Sequence, residues 1–252
     1  MVDIMGDPYH LAAVFGIGIA AGFINIMAGG GSVLTLGVMM LMGLDAAVAN
    51  GTNRIGLLVE GISGAAAYRT ERFTDLRESF RLAALTLPGA ILGSIFAIQV
   101  SNLTFQRILA LVMIFVLITL FLPKGKEEGD RAGGRRGRVL IYPAMVLVGF
   151  YGGFVQAGVG FLIMASLRHL LALDLVRINM HKVYIVLIYT IPVLFVFGLT
   201  DNINWPWAAA LGLGMALGAW VSVKISVRRG ERVIKAILGV AIVLMAAKFL
   251  LS

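Results

Sequence analysis

Ten apolar stretches, separated by short polar connections, take up most of the chain from His10 to Leu251. A chain of this kind has too little polar surface to cover a water-soluble fold. Of its 252 residues 60% are hydrophobic and 13% charged, with a mean hydropathy of +0.95, whereas soluble domains carry about 25% charged residues. Inside a bilayer every backbone N–H and C=O must be satisfied within the apolar phase, which leaves helices or closed barrels. Continuous apolar runs near 20 residues are the helical solution. The chain is therefore read as an all-α polytopic membrane protein. Its stretches are 10–28, 33–44, 47–69, 79–100 and 106–123, then 139–157, 161–173, 177–198, 206–225 and 234–251.

Composition also excludes function classes. The net charge of +8 would suit a nucleic-acid binder, but the basic residues fall mostly in short connections between apolar stretches, as the positive-inside rule expects. Nucleic acid is not an expected partner; the lipid bilayer is. With no Cys there are no disulfides, thiolate metal sites or thiol catalysis. No P-loop, dinucleotide fingerprint or metal constellation is present, so no cofactor and no ATP-driven step is expected. "MVDIMGDPYH" lacks a basic n-region, and no cleavable leader is expected.

The two halves of the chain resemble each other. "AGGGSVLTLGVMMLMGLD" (28–45) aligns without gaps on "AGVGFLIMASLRHLLALD" (157–174), and "PGAILGS" (88–94) falls on "LGMALGA" (213–219). The spacings Gly89/Gly93 and Gly214/Gly218 suit close helix packing. Charge sets the orientation of the halves. The connection 69–81 holds Arg69, Arg72, Arg77 and Arg81, and its counterpart 199–205 holds no Lys or Arg. Next along, 99–107 holds only Arg107, whereas 224–235 holds Lys224, Arg228, Arg229, Arg232 and Lys235. Equivalent connections then lie on opposite sides of the membrane, which predicts two inverted-topology repeats of five segments each. The repeats are 1–123 and 139–252, joined by a basic cytoplasmic linker, 124–138, within one integrated membrane domain. With both termini outside, 17 of the 21 Lys and Arg lie on the cytoplasmic side, Arg107 and Lys248 lie outside, and Arg54 and Lys182 are left in the membrane.

The second segment of each half is too short to span. Residues 33–44 give ~18 Å of helix at 1.5 Å per residue against a core of ~30 Å. An extended "GGGS" would add roughly 13 Å. The expected form is a broken helix in each half, starting near Ser32 in the first and after Gly158-Val159-Gly160 in the second. Free N–H groups at such starts favour anions.

Arg54 and Lys182 follow their Gly runs by 23 and 22 residues. An ionised side chain at that depth is costly without a partner or a wet cavity. Two of them, at matched places, predict one central site for a small anion, held by an Arg fork and a Lys point charge. The candidate binding residues are Asn25, Gly29, Gly30, Gly31, Ser32, Asn53, Arg54, Gln156, Gly158, Gly160, His181 and Lys182. Asn50, Thr52, Asn179 and Tyr184 flank them. The plainer alternative is that each cation snorkels or pairs with a structural carboxylate. Glu60, the one carboxylate inside a predicted span, and His181 are the candidates for proton coupling. A different class is also open. "GISG" (61–64) matches the surround of an intramembrane serine protease nucleophile, with Ser63 attacking and His181 as its base.

The stretch "AAGFINIMAGGGSVLTLGVMMLMGLDAAVANGTNRIG" (20–56) resembles the opening signature of the TauE/SafE family of sulfite exporters and organosulfonate permeases. The corresponding positions here are Gly22-Phe23, Gly29-Gly30-Gly31 and Thr52-Asn53-Arg54. "GFVQAGVGFLIM" (153–164), His181-Lys182 and "INW" (203–205) resemble its later signatures. Arg stands at 54 where the family usually has Lys, the second Gly run is reduced to Gly158-Val159-Gly160, and Thr is missing before Lys182. The resemblance implies transport of sulfite, an organosulfonate such as sulfoacetate, or another small sulfur-containing anion. The expected protein is a secondary transporter of the bacterial inner membrane, working by alternating access and not an enzyme. An anion channel, the membrane protease and a non-transporting assembly factor are the alternatives. Small size and Gly-rich faces point to a homodimer.

Overall fold

The computed structural model describes residues 7–72, 76–109, 111 and 135–251, with side chains in the last stretch from 137 to 228. Eight helices are numbered here in chain order: α1 (Pro8–Ala28), α2 (Gly31–Leu41), α3 (Ala46–Thr70), α4 (Arg77–Gln99), α5 (Arg135–Phe154), α6 (Val159–Leu171), α7 (Leu175–Gly198) and α8 (Trp205–Leu251). Residues 102–109 are also helical, and no strand occurs among the described residues. The expected segment 106–123 and linker 124–138 lie largely outside the described residues.

Sequence sets the helix ends. Asp7 accepts the Tyr9 N–H at 3.2 Å, with Pro8 in the first turn of α1. The alignment of 28–45 on 157–174 pairs Asp45 with Asp174, and both cap helix starts. Asp174 accepts the Arg177 N–H at 3.0 Å. At α3 the same job is shared: Asn102 accepts the Ala46 N–H at 2.7 Å and donates to Asp45 at 3.0 Å.

Five helical stretches are long and apolar enough to cross a membrane among the described residues: Pro8–Ala28, Arg77–Gln99, Gly137–Phe154, Leu175–Gly198 and Trp205–Arg228. α3 is long enough as well, 25 residues or about 37 Å. It is not apolar enough, because it carries Asn50, Thr52, Asn53, Arg54 and Glu60, all buried. Meanwhile Leu92, Phe96, Leu147, Phe195, Leu213 and Leu217 are exposed on the outside. Polar groups inside and large apolar groups outside is the distribution expected of a multi-pass membrane protein, whose surroundings are lipid.

The halves interleave. α1 packs most extensively on α8 and α4 on α5, while α3 and α7 touch each other and pack on α8 and α4 respectively. Glycines make these crossings close. Gly18 and Gly22 of α1 meet the backbone of α8, where Gly214 and Gly218 meet α1 in return. Gly89 and Gly93 of α4 face α5 in the same manner, and Gly149 and Gly153 answer them. A Cβ at any of these positions would collide with the facing backbone.

Two expectations are corrected. The Gly run after α1 is a tight turn, not an extended linker: Gly29 is left-handed (φ 82°) and Gly31 already opens α2. The three glycines are needed for turn geometry and close approach, so they add no reach. The connection expected between 206–225 and 234–251 is also absent from the backbone, which runs as one 47-residue helix, α8. Arg, Glu and Lys at 228–235 are good helix formers with a single Gly among them and no Pro, so charge alone does not break the helix.

Candidate functional site

The two helix breaks meet. α1 ends where the Gly29 N–H donates to the Asn25 carbonyl at 2.8 Å. α5 ends at Phe154, and residues 155–158 turn the chain into α6 with Gln156 and Gly158 both left-handed (φ 66° and 73°). Gly29 and Gly160 then lie backbone against backbone, so closely that a Cβ on either would overlap the other. This contact is the hub about which the site is built.

Beside it lies a small cavity lined by Asn25 and Ile26 of α1, Leu57, Glu60 and Gly61 of α3, Gln156, Val159 and Gly160 of the second break, and Lys182, Val183 and Val186 of α7. It has space for about one water molecule. Lys182 Nζ donates to the Asn25 carbonyl at 2.9 Å, the Ile26 carbonyl at 2.8 Å and Asn179 Oδ1 at 2.9 Å. Those carbonyls belong to the last turn of α1, the negative end of its dipole, so the ammonium is well placed. Glu60, across the cavity, accepts twice from Asn25 Nδ2, at 2.9 and 3.1 Å.

Arg54 repeats the theme on the other break. Its guanidinium donates to the Gly153 carbonyl at 2.8 Å, in the last turn of α5, and to Gln156 Oε1 at 2.6 Å. Asn50, one turn earlier on α3, donates to the Phe154 carbonyl at 2.9 Å. Tyr189 of α7 donates to the same Gln156 oxygen at 2.7 Å. Each half thus sends a cation from its third helix to the carbonyl end of the other half's first helix. Neither cation snorkels, and neither forms an ion pair with a carboxylate among the described residues.

A family model for sulfite exporters of the TauE/SafE type matches residues 14–249. The chain belongs to the TauE/SafE family. Three relatives are described as probable membrane transporter proteins. ORF9 of Sinorhizobium sp is 26% identical over 96% of this chain and 93% of its own length. A Haemophilus influenzae protein is 26% identical over 94% and 93%. YfcA of Escherichia coli is 27% identical over 98% and 91%. No solved structure matches the chain.

In this TauE/SafE protein the expected site residues separate into two groups. Asn25, Gln156, Gly160 and Lys182 line the cavity, as does Glu60. Gly29 forms the hub, and Gly31 sits under the Ala21 carbonyl. Gly30 precedes α2 and Gly158 precedes α6. Ser32 and Asn53 are buried behind them, with Thr35 Oγ1 donating to Asn53 Oδ1 at 2.6 Å. Arg54 stands one residue away from the cavity, behind Gln156. His181 points to α4, its Nδ1 bonded to Ser79 at 2.7 Å. Of the two short helices, only α6 presents its first turn to the cavity; from the first half the lining comes from the end of α1 and from α3.

Several buried polar atoms near the breaks make no hydrogen bond among the described residues: Ser32 Oγ, Asn53 Nδ2, Arg54 Nε and Asn179 Nδ2. Such groups are rare in folded proteins, and each calls for a partner such as water or a ligand. The pairing expected of a serine protease is not formed. Ser63 donates to the Ala216 carbonyl at 2.8 Å, and the His181 Nδ1 bond goes to Ser79. Sequence reasoning missed Tyr189. It sits seven residues after Lys182, two turns along the same face of α7, and that register was the signal available.

Proposed function

We propose that this protein is a secondary transporter that moves a small sulfur-containing oxyanion, sulfite or an organosulfonate such as sulfoacetate, across the bacterial inner membrane by alternating access. One observation carries the reading: a buried lysine faces a cavity at the point where two helix breaks, one from each half, meet. Broken helices meeting at a pseudo-twofold axis are how many secondary transporters build their sites. The reciprocal packing of α1 on α8 and α5 on α4, with matched glycines, supports inverted repeats in one integrated domain.

The cavity has space for about one water, so the anion enters as the halves rock apart. Lys182 then exchanges the α1 carbonyls for the oxyanion, whose charge replaces two neutral acceptors. Glu60 faces the same space and is the coupling candidate, because a second negative charge there opposes the anion until it takes a proton. The His181 ring nitrogen bonded to Ser79 faces α4, which leaves Glu60 the better placed of the two.

Reconstitution tests this reading. Proteoliposomes carrying the protein accumulate radiolabelled sulfite or sulfoacetate with saturation and exchange. Flux without saturation or exchange means a channel. Purified protein that is stabilised by none of sulfite, sulfoacetate, taurine, sulfate or small carboxylates rules the site out.

A further inference from the structure

We infer that Arg54 serves the site through Gln156: it holds the Gln156 amide with the oxygen turned away, so that Nε2 faces the cavity and donates to the bound oxyanion. The inference rests on the transport reading above and assigns the second ligand of that site. Gln156 is 1% exposed and lines the cavity. Its Oε1 accepts from both Arg54 and Tyr189, at 2.6 and 2.7 Å. A guanidinium has donors and no acceptor, so the amide cannot turn its NH2 towards Arg54. The two Nε2 hydrogens are what the side chain has left to offer, and the remaining open direction is the cavity.

The base of the side chain is fixed as well. Gln156 is left-handed at φ 66°, uncommon for a residue other than glycine. Its N–H and that of Val155 donate to the Tyr151 carbonyl at 3.3 and 2.9 Å, and the Tyr151 hydroxyl donates to the Ala157 carbonyl. A turn locked at both ends, with an amide locked at one end, makes a preorganised neutral donor. The site then offers one full charge, from Lys182, and one directed amide. That pair suits an oxyanionic group with at least two acceptor oxygens, as in hydrogensulfite, sulfite or a sulfonate, and not a halide with a single centre. Arg54 is a positioning residue in this arrangement and never touches the ligand.

Gln156→Glu is the decisive variant. The carboxylate accepts from Arg54 and Tyr189 as the amide does, so the fold is kept, while the donor is lost and a like charge replaces it. Purified wild-type protein and variants are titrated calorimetrically with sulfite and sulfoacetate, with the thermal midpoint as the folding control. Gln156→Glu is expected to keep the midpoint and to weaken binding by roughly tenfold or more. Arg54→Met weakens binding in the wild type and adds nothing in a Gln156→Leu background, the mark of one residue acting through another. Binding by Gln156→Glu within about twofold of wild type overturns the inference, as does an Arg54→Met loss of equal size in both backgrounds. Wild-type protein that binds neither anion overturns the transport reading instead. Should Arg54→Met fail to fold, Gln156→Glu alone decides.

Discussion

Lys182 and Arg54 occupy comparable places in the two halves and end up in different chemical roles. Lys182 gives its protons to two carbonyls of α1 and to Asn179, and it borders the cavity. Arg54 gives its own to a carbonyl of α5 and to Gln156, which stands between it and the cavity. Register explains the difference. The gapless alignment that pairs Asp45 with Asp174 also pairs Asn50 with Asn179, but it places Lys182 opposite Asn53 and Arg54 opposite Val183. A shift of one residue is about 100° around a helix. The two cations therefore approach their helix ends from different angles: the Lys182 ammonium meets the end of α1 beside the cavity, and the Arg54 fork spans the end of α5 and the Gln156 side chain. The alignment matches the helix starts at Asp45 and Asp174 more faithfully than it matches the two cations.

The comparison breaks most easily at Lys182. Lys182→Met leaves the α1 carbonyls without their donor and the cavity without its charge. Sulfite affinity should fall by roughly 30-fold or more, since losing one partner of a buried charged contact costs about 2–5 kcal/mol. Lys182→Arg should rescue poorly, because a planar fork does not fit the space of a compact ammonium. Calorimetry on the two variants checks both statements, and near-normal affinity in Lys182→Met would place the anion elsewhere.

The hub that brings the two cations to one place is the next point of attack. Gly29→Ala puts a Cβ into the Gly160 backbone at a left-handed position, and is expected to destabilise by about 2–4 kcal/mol. Gly37 supplies the contrast. It is helical and a Cβ there meets nothing within 4 Å, so Gly37→Ala should gain up to about 1 kcal/mol. Thermal midpoints of the two variants should move in opposite directions.

Glu60 sharpens the comparison from the anion's side. Glu60→Gln keeps an oxygen for Asn25 Nδ2 and removes a negative charge from the cavity that Lys182 shares. Sulfite should bind several times more tightly, and transport should lose its response to an imposed pH gradient. Uptake by the variant that still follows the gradient would remove Glu60 from the coupling step.

How much of this was legible beforehand varies by region. The first break was readable because three consecutive glycines weaken a helix at a real entropic cost, which an apolar span bears only where the backbone must turn or approach closely. Their use as a tight turn was not readable. The second break was harder, since its decisive residue is Gln156 in a conformation where glycine is the usual choice. The place of Lys182 at the cavity was foreshadowed by its depth and by the matched cation in the other half. The role of Arg54 did not, because it depends on Gln156, which lies 102 residues away across the interface of the halves, and no periodicity reports such a contact. α8 shows the opposite failure: a dense run of charges read as a connection, yet helix propensity carries the backbone through it.

The smallest effect is expected farther along α3, where the helix that carries Arg54 and Glu60 turns to α8. Ser63 is half-buried and its hydroxyl donates to the Ala216 carbonyl at 2.8 Å. Ser63→Ala should cost about 1 kcal/mol of stability, the usual worth of one such bond. Anion binding and transport should be unchanged, because the hydroxyl neither lines the cavity nor supports a residue that does. A protease would behave in the reverse way, keeping its stability and losing its activity. The variant thus separates the stretch of α3 that serves the site, from Asn50 to Glu60, from the stretch that only packs, and a transport defect in Ser63→Ala would show that the boundary has been drawn too early along the helix.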